Sequence, residues 1–299
     1  MVIFHDPPRT ATATSTGQTS AAFLIASRMT LSIQSLWTRL CVLFAADLWL
    51  HTKSVAENNA TKILWVHGHP ESDSLNHQLM ETASRNLRCR AEVTVVDLYE
   101  LGWNPVLNSA ELSGTGGPAP EVVAQQHLLR DADLLIIQFP LWWHGMPAIV
   151  KGWFDRVFSH GFAYGIKHPE TGRTLKYGGG GLAGRRALTI VTAGDRQSSF
   201  DPRGINGDIE LLLFPLLHGT LWYSGISALK PHLIAGTDVP GWSDADDECR
   251  RLLDRLDTIF DEEPIRYRAL ESGDYWPDRT LAPEHAWASE GLAMHIRAD

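Results

Sequence analysis

From residue 62 onward short β-rich apolar runs alternate with helical stretches, and this alternation is what most narrows the folds open to the chain. Lys62 to His67 and Ala91 to Leu98 read as strands, the second carrying Val93, Val95 and Val96. Asp133 to Phe139, Arg186 to Thr192 and Leu229 to Ala235 complete a set of five. Helices are expected over Leu75–Leu87, Glu121–Leu129, Ala148–Phe158, Asp208–Leu217 and Asp244–Phe260. Residues 103 to 119 read as a long loop, and Gly161 to Gly184 as a glycine-rich excursion at the solvated surface. Five strands alternating with helices predict an α/β fold, a parallel sheet covered by helices on both faces. Right-handed crossovers make 2-1-3-4-5 the first choice of strand order. In that order the chain reverses between strands one and three, and ligands bind beyond the carboxyl ends of the strands at such a point.

Three loops meet there. Gln138 to Phe139 ends an apolar strand at Pro140, and Leu141, Trp142, Trp143, His144 and Gly145 follow before Pro147 opens a helix. Large flat side chains beside exposed backbone amides suit a flat ring with polar edges; two tryptophans capping a core are the plain alternative. His69-Pro70-Glu71-Ser72-Asp73-Ser74-Leu75-Asn76 runs into a helix N-terminus, where free amides and the helix dipole suit a phosphate. Simple capping by Asp73 or Ser74 accounts for the same loop. It carries neither a Walker lysine nor a G-x-G-x-x-G pattern, so neither a nucleoside triphosphate nor a Rossmann dinucleotide site is indicated. Thr192-Ala193-Gly194-Asp195-Arg196 is a small-residue turn that lets backbone amides meet a ring edge, and Gly204-Ile205-Asn206-Gly207-Asp208 opens the next helix.

Composition trims the remaining classes. A formal charge of −9 with no basic stripe argues against a nucleic-acid partner. The 3 cysteines, Cys41, Cys89 and Cys249, are far apart and fit a reducing, cytoplasmic compartment better than a disulfide framework. His67 and His69 share a strand face, but the 13 histidines make no zinc spacing, and no metal is expected. The first sixty residues differ from the rest: 1–28 are rich in Thr, Ser and Ala, and Leu36 to Leu50 is short for a membrane span and broken by Arg39 and Asp47. The expected organisation is an extension over 1–60, a domain over 61–270 and a tail over 271–299, with no stable membrane insertion.

Taken together, the motifs resemble the flavodoxin-like NAD(P)H:quinone oxidoreductase family over roughly residues 62 to 265. They are His69-x-x-x-x-Ser74-Leu75-Asn76, the long run from Gln138 to Phe158, Phe162-Ala163-Tyr164, and Gly204-Ile205-Asn206-Gly207-Asp208. The resemblance implies a bound flavin, FAD with FMN as the alternative, and a homodimer with active sites at the interface. It implies that His69, Ser74, Leu75 and Asn76 hold the phosphate and adenosine portion. Pro140, Leu141, Trp142, Trp143 and His144 would line the isoalloxazine, and Thr192, Ala193 and Gly194 would meet its pyrimidine edge. Tyr164 and Tyr223 match positions lining the substrate pocket. The implied reaction is a two-electron, ping-pong transfer from NAD(P)H through the flavin to a quinone.

The chain departs from the pattern where relatives carry a Tyr and a His that stabilise charge during hydride transfer. Phe200 and Asn206 stand at those catalytic positions; Phe200 cannot donate a hydrogen bond, and Asn206 is no acid at neutral pH. Two other functions stay open on the sequence: a flavin-binding regulatory subunit of a potassium-efflux system, and a tailoring reductase with a dedicated aromatic substrate.

Overall fold

In a computed structural model, which describes residues 60–286 and 291–298, the alternation becomes β1 (Lys62–His67), α1 (Leu75–Leu87), β2 (Glu92–Asp97), α2 (Ser109–Ser113) and α3 (Pro120–Asp131). There follow β3 (Leu134–Pro140), α4 (Ala148–Val157), β4 (Arg186–Ala193), α5 (Ile209–Leu212), α6 (Phe214–Leu216), β5 (Ser227–Ala228), β6 (His232–Ala235) and α7 (Ala245–Asp257). The expected extension over 1–60 lies, save for Ala60, outside the described residues. The described residues from Ala60 onward form one compact unit, those after 270 included.

All strand pairs are parallel, in the order β2-β1-β3-β4-β5, with β6 also pairing β4. The five-stranded, doubly covered sheet expected from the alternation is therefore present, with its last strand in two pieces. Pro231 has no N–H to donate, so β5 pairs the start of β4, Arg186–Ala187, and β6 pairs its end, Ile190–Ala193. β3 is buried along its whole length because it lies at the centre, which is why it reads as an unbroken apolar run. Alternate strand residues feed two cores. Ile63, Trp65, Ile136 and Ile190 meet Leu79, Ala83, Leu252 and Leu256 of α1 and α7. Leu64, Val66, Leu135 and Ile137 meet Val122, Val150 and Trp153 of α3 and α4.

Three segments depart from expectation. The helix foreseen over Asp208–Leu217 breaks after Leu212, where Pro215 removes a backbone donor, and continues through α6 into a π-helical turn over Leu217–Trp222. The loop over 103–119 contains α2 and is anchored: Arg156 of α4 donates to Glu111 and Glu121 and to the Asn104 carbonyl, and its guanidinium lies 4.7 Å from the Trp103 ring centroid. Gly152 is what lets this loop close, since a Cβ there would meet the Pro105 carbonyl oxygen at 2.2 Å.

The glycine-rich excursion is exposed over 169–173, as a surface loop would be, but its second half is anchored. Tyr177 and Gly178 donate to the Tyr223 and Trp222 carbonyls, and Leu182 donates to that of Ser224, at 3.1, 2.9 and 2.9 Å. A Cβ on Gly181 would meet the Phe162 carbonyl oxygen at 1.9 Å, so the close approach of the two backbones demands glycine. The end of the chain folds back on the same region. Arg268 donates to Asp274 at 2.7 Å, and the Tyr275 hydroxyl lies 2.9 Å from His295 Nδ1.

Candidate active site

Parallel register brings the carboxyl ends of four strands to one edge. His67 lies opposite both Asp97 and Gln138, and Pro140 opposite Thr192. The three loops expected to carry chemistry all leave from there. A buried hydrogen-bond line ties them: the Trp65 indole donates to Gln138 at 3.0 Å, the Gln138 amide donates to the Asn76 carbonyl at 2.8 Å, and the Asn76 amide donates to the Thr192 hydroxyl at 2.7 Å. Asn76 and Thr192 are both buried, so their side chains brace the loops against one another. The Leu141 amide donates to the Thr192 carbonyl at 2.8 Å, closing β3's loop onto β4's.

Ser74 caps α1 by accepting from the His77 amide, and the first intrahelical bond runs from Gln78 to the Ser74 carbonyl. The amides of Leu75 and Asn76 precede that bond and belong to the free donors of a helix start. His69 Nδ1 accepts from the Glu71 amide at 3.1 Å, which fixes the loop, and its ring lies 6.3 Å from that of Trp142.

The aromatic loop is a two-residue hairpin. Trp142 and Gly145 exchange both backbone bonds at 3.0 Å, while Trp143 and His144 take φ of 52° and 58°. Two successive left-handed residues form a type I′ turn, a geometry that favours Asn and Gly and that Trp and His adopt at a cost of roughly 1–2 kcal/mol each. The Trp143 side chain is 102% exposed. Burial therefore does not repay its conformation, and the capping alternative fails for this residue; Trp142 is 44% exposed. Both indoles thus present bare aromatic surface at the carboxyl edge of the sheet.

His144 is held from the other side. Its Nε2–H donates to Asn206 Oδ1 at 3.1 Å, and Asn206 Nδ2 donates to Asp195 at 3.0 Å. Asp195 also accepts from the Arg196 amide, which with the other hydrogen bonds keeps its carboxyl below the usual range. Asn206 is thus more than a turn residue: it links the hairpin to the loop after β4. Phe200, the other departure from the family pattern, lies buried in the core at 4% exposure. Ala193 is buried as well, so at this edge Thr192, Ala193 and Gly194 have backbone rather than side chains to offer.

Tyr164 and Tyr223 sit in a separate aromatic cluster. Tyr223 packs edge-on against Tyr177 at 5.0 Å, Tyr164 against His160 at 5.5 Å, and burial raises the hydroxyl pKa of Tyr164 and Tyr177. Tyr177, which sequence reading missed, is left-handed at φ 48° and stacks on His218. No hydrogen bond or ring contact among the described residues joins this cluster to the Trp142–His144 hairpin.

A family model described as "Flavodoxin-like fold" matches residues 61–259. A ribosyldihydronicotinamide dehydrogenase-like protein of Penicillium crustosum is 35% identical over 260 residues, covering 80% of this chain and 96% of its own. The human ribosyldihydronicotinamide dehydrogenase [quinone] is 34% identical over 224 residues, covering 68% and 94%. Among solved structures, a provisionally assigned quinone reductase of Klebsiella pneumoniae superimposes with a TM-score of 0.74 at 40% identity, over 79% of this chain and 99% of that one.

Proposed function

The chain belongs to the flavodoxin-like NAD(P)H:quinone oxidoreductase family, and on that premise we propose that it is a flavin-dependent enzyme reducing quinones by two electrons in a ping-pong cycle. The observation that carries the reading is the hairpin of exposed, left-handed Trp143 beside Trp142, at the edge where helix-start amides also face. These residues fit a flavin: indole surface for the ring, the amides of Leu75 and Asn76 with His69 for the phosphate, and the backbone of Thr192 to Gly194 for the pyrimidine edge. When bound, the flavin supplies a carrier that accepts hydride from NAD(P)H and delivers it to the acceptor. The net reaction is NAD(P)H, a quinone and a proton giving NAD(P)⁺ and the hydroquinone.

The chain's own residues orient and shield. The Gln138–Asn76–Thr192 line fixes the three loops, so the ring would be met by a preformed surface. His144, with Nε2–H committed to Asn206, keeps Nδ1 as a hydrogen-bond acceptor for an incoming group and is held in place beside the ring. Tyr164, Tyr177 and Tyr223 would line the acceptor pocket of a second copy in a homodimer, which accounts for their separation from the hairpin within one chain.

The test is the visible spectrum of the purified protein, followed by anaerobic NADPH and then a quinone. Yellow protein that bleaches with NADPH and regains its colour with the quinone is expected, and His144→Ala should slow bleaching while keeping the flavin. Protein that binds no flavin, or a flavin that neither NADPH nor NADH reduces, overturns the proposal.

A further inference from the structure

His67, His77 and Asp97 are distant in sequence and come together at the β1–β2 end of the sheet. His67 ends β1, Asp97 ends the neighbouring β2 directly opposite it, and His77 lies in the first turn of α1. Asp97 Oδ2 is 3.8 Å from His67 Nε2 and 3.7 Å from His77 Nδ1, and the three donor atoms all lie within 4.8 Å of one another. The two imidazoles meet edge to face with centroids 5.8 Å apart.

Two further features distinguish the cluster from a chance meeting of polar groups. His67 is fully buried, and both its ring nitrogens lack a hydrogen-bond partner; His77 Nδ1 is buried and unpartnered as well. Such orphaned nitrogens are costly and call for a ligand. Asp97 is already oriented: its Oδ1 accepts from the Tyr99 and Glu100 amides at 2.9 and 3.0 Å, so Oδ2 faces the rings. Donor atoms on tetrahedral zinc are about 3.3 Å apart given bonds of ~2.0–2.1 Å, so a shift of a few tenths of an ångström closes the two carboxylate distances.

We infer that His67, His77 and Asp97 bind a divalent cation of the zinc class through two imidazoles and one carboxylate, with a fourth position open to solvent. A groove of about 810 Å³ along α1 and β2, lined by His69, Ser72, His77, Glu81 and Asp97 among others, provides the entry path. The set differs from the residues assigned to flavin, so the site stands whether or not the proposed reaction does. Two histidines and one carboxylate with an open position match a site that can hold water or an anionic oxygen.

The test is calorimetric titration of Zn²⁺ alone into the full chain after chelator treatment, with bound zinc counted by elemental analysis. One equivalent per chain is expected, with affinity falling more than about tenfold in His77→Ala and in Asp97→Asn. His127→Ala, an exposed histidine on α3, should change nothing. His77 is partly exposed, so its variant should fold, and unchanged thermal unfolding without zinc confirms this. Absence of binding, or binding that both ligand variants leave unchanged, overturns the inference; loss of quinone reduction with zinc binding intact bears only on the proposed reaction.

Discussion

Trp143 is the residue where local preference and tertiary placement disagree most. An aromatic side chain that is wholly exposed gains nothing from burial, yet it holds a left-handed backbone that costs roughly 1–2 kcal/mol relative to glycine. Trp143→Gly should therefore raise thermal stability, by up to about 1 kcal/mol after the entropy of the added glycine is deducted. The same variant should lose retained flavin, measured as the ratio of visible to ultraviolet absorbance. A variant that is more stable and keeps its full flavin content would refute the assignment of this indole to the ring. Asn76 teaches the opposite lesson. Its position in the His69-to-Asn76 motif points to a ligand, but its side chain is buried and already donates to Thr192. Only a partner supplied from another strand could redirect it.

At the scale of elements, α4 and the loop over 103–119 form a unit whose pin is Arg156. The guanidinium is almost wholly buried and bonds Glu111 at both carboxylate oxygens, with Glu111 itself nearly covered. Removing one partner of a buried pair leaves the other's charge unpaired in a poor solvent, a loss of about 3–5 kcal/mol. Arg156→Ala should therefore lower the denaturation midpoint strongly, whereas Glu121→Gln, whose carboxylate is half in water, should cost under about 1 kcal/mol. Equal effects of the two would show that burial does not set the strength of this network. The loop was legible from its Pro, Gly and Ser content, but its anchoring was not, because Glu111 and Arg156 are brought together only when α2 docks on α4. The broken helix after Asp208 has a simpler cause: Pro215 is visible in the sequence, but the periodicity of the apolar residues around it outweighed it.

For the whole molecule, two neutral histidines couple folding to pH. His218 and His232 are buried, and burial lowers their pKa from 6.5 to about 4 and about 3; His295 adds to the effect at the first, Arg251 and Arg255 at the second. Each pKa is lower folded than unfolded, so the unfolded chain binds the extra protons as pH falls. The stability these residues confer is whole above their ordinary value near 6.5 and drains away down to about pH 4 for His218 and about pH 3 for His232. Each group contributes a slope on the order of 1 kcal/mol per pH unit within its window. Chemical denaturation at pH 7 and at pH 5 should show this loss, and His232→Gln should flatten it. A slope unchanged by that substitution would place the pH dependence elsewhere.

Local periodicity and the punctuation by Pro and Gly were enough to determine the strands, their parallel arrangement and the edge where the functional loops gather, because these depend on patterns within a few residues. Motif spacing sufficed to indicate the family, since the long run from Gln138 to Phe158 carries its own order. What the tertiary structure decided depends on contacts between distant segments. It split the last strand, seated the glycine-rich excursion against the π-helical turn and buried Phe200. It also paired His67 with His77 and Asp97 rather than with its neighbour His69. No spacing rule reveals that cluster, because its three donors arrive on two strand ends and a helix start, and only the register of β1 against β2 sets them face to face.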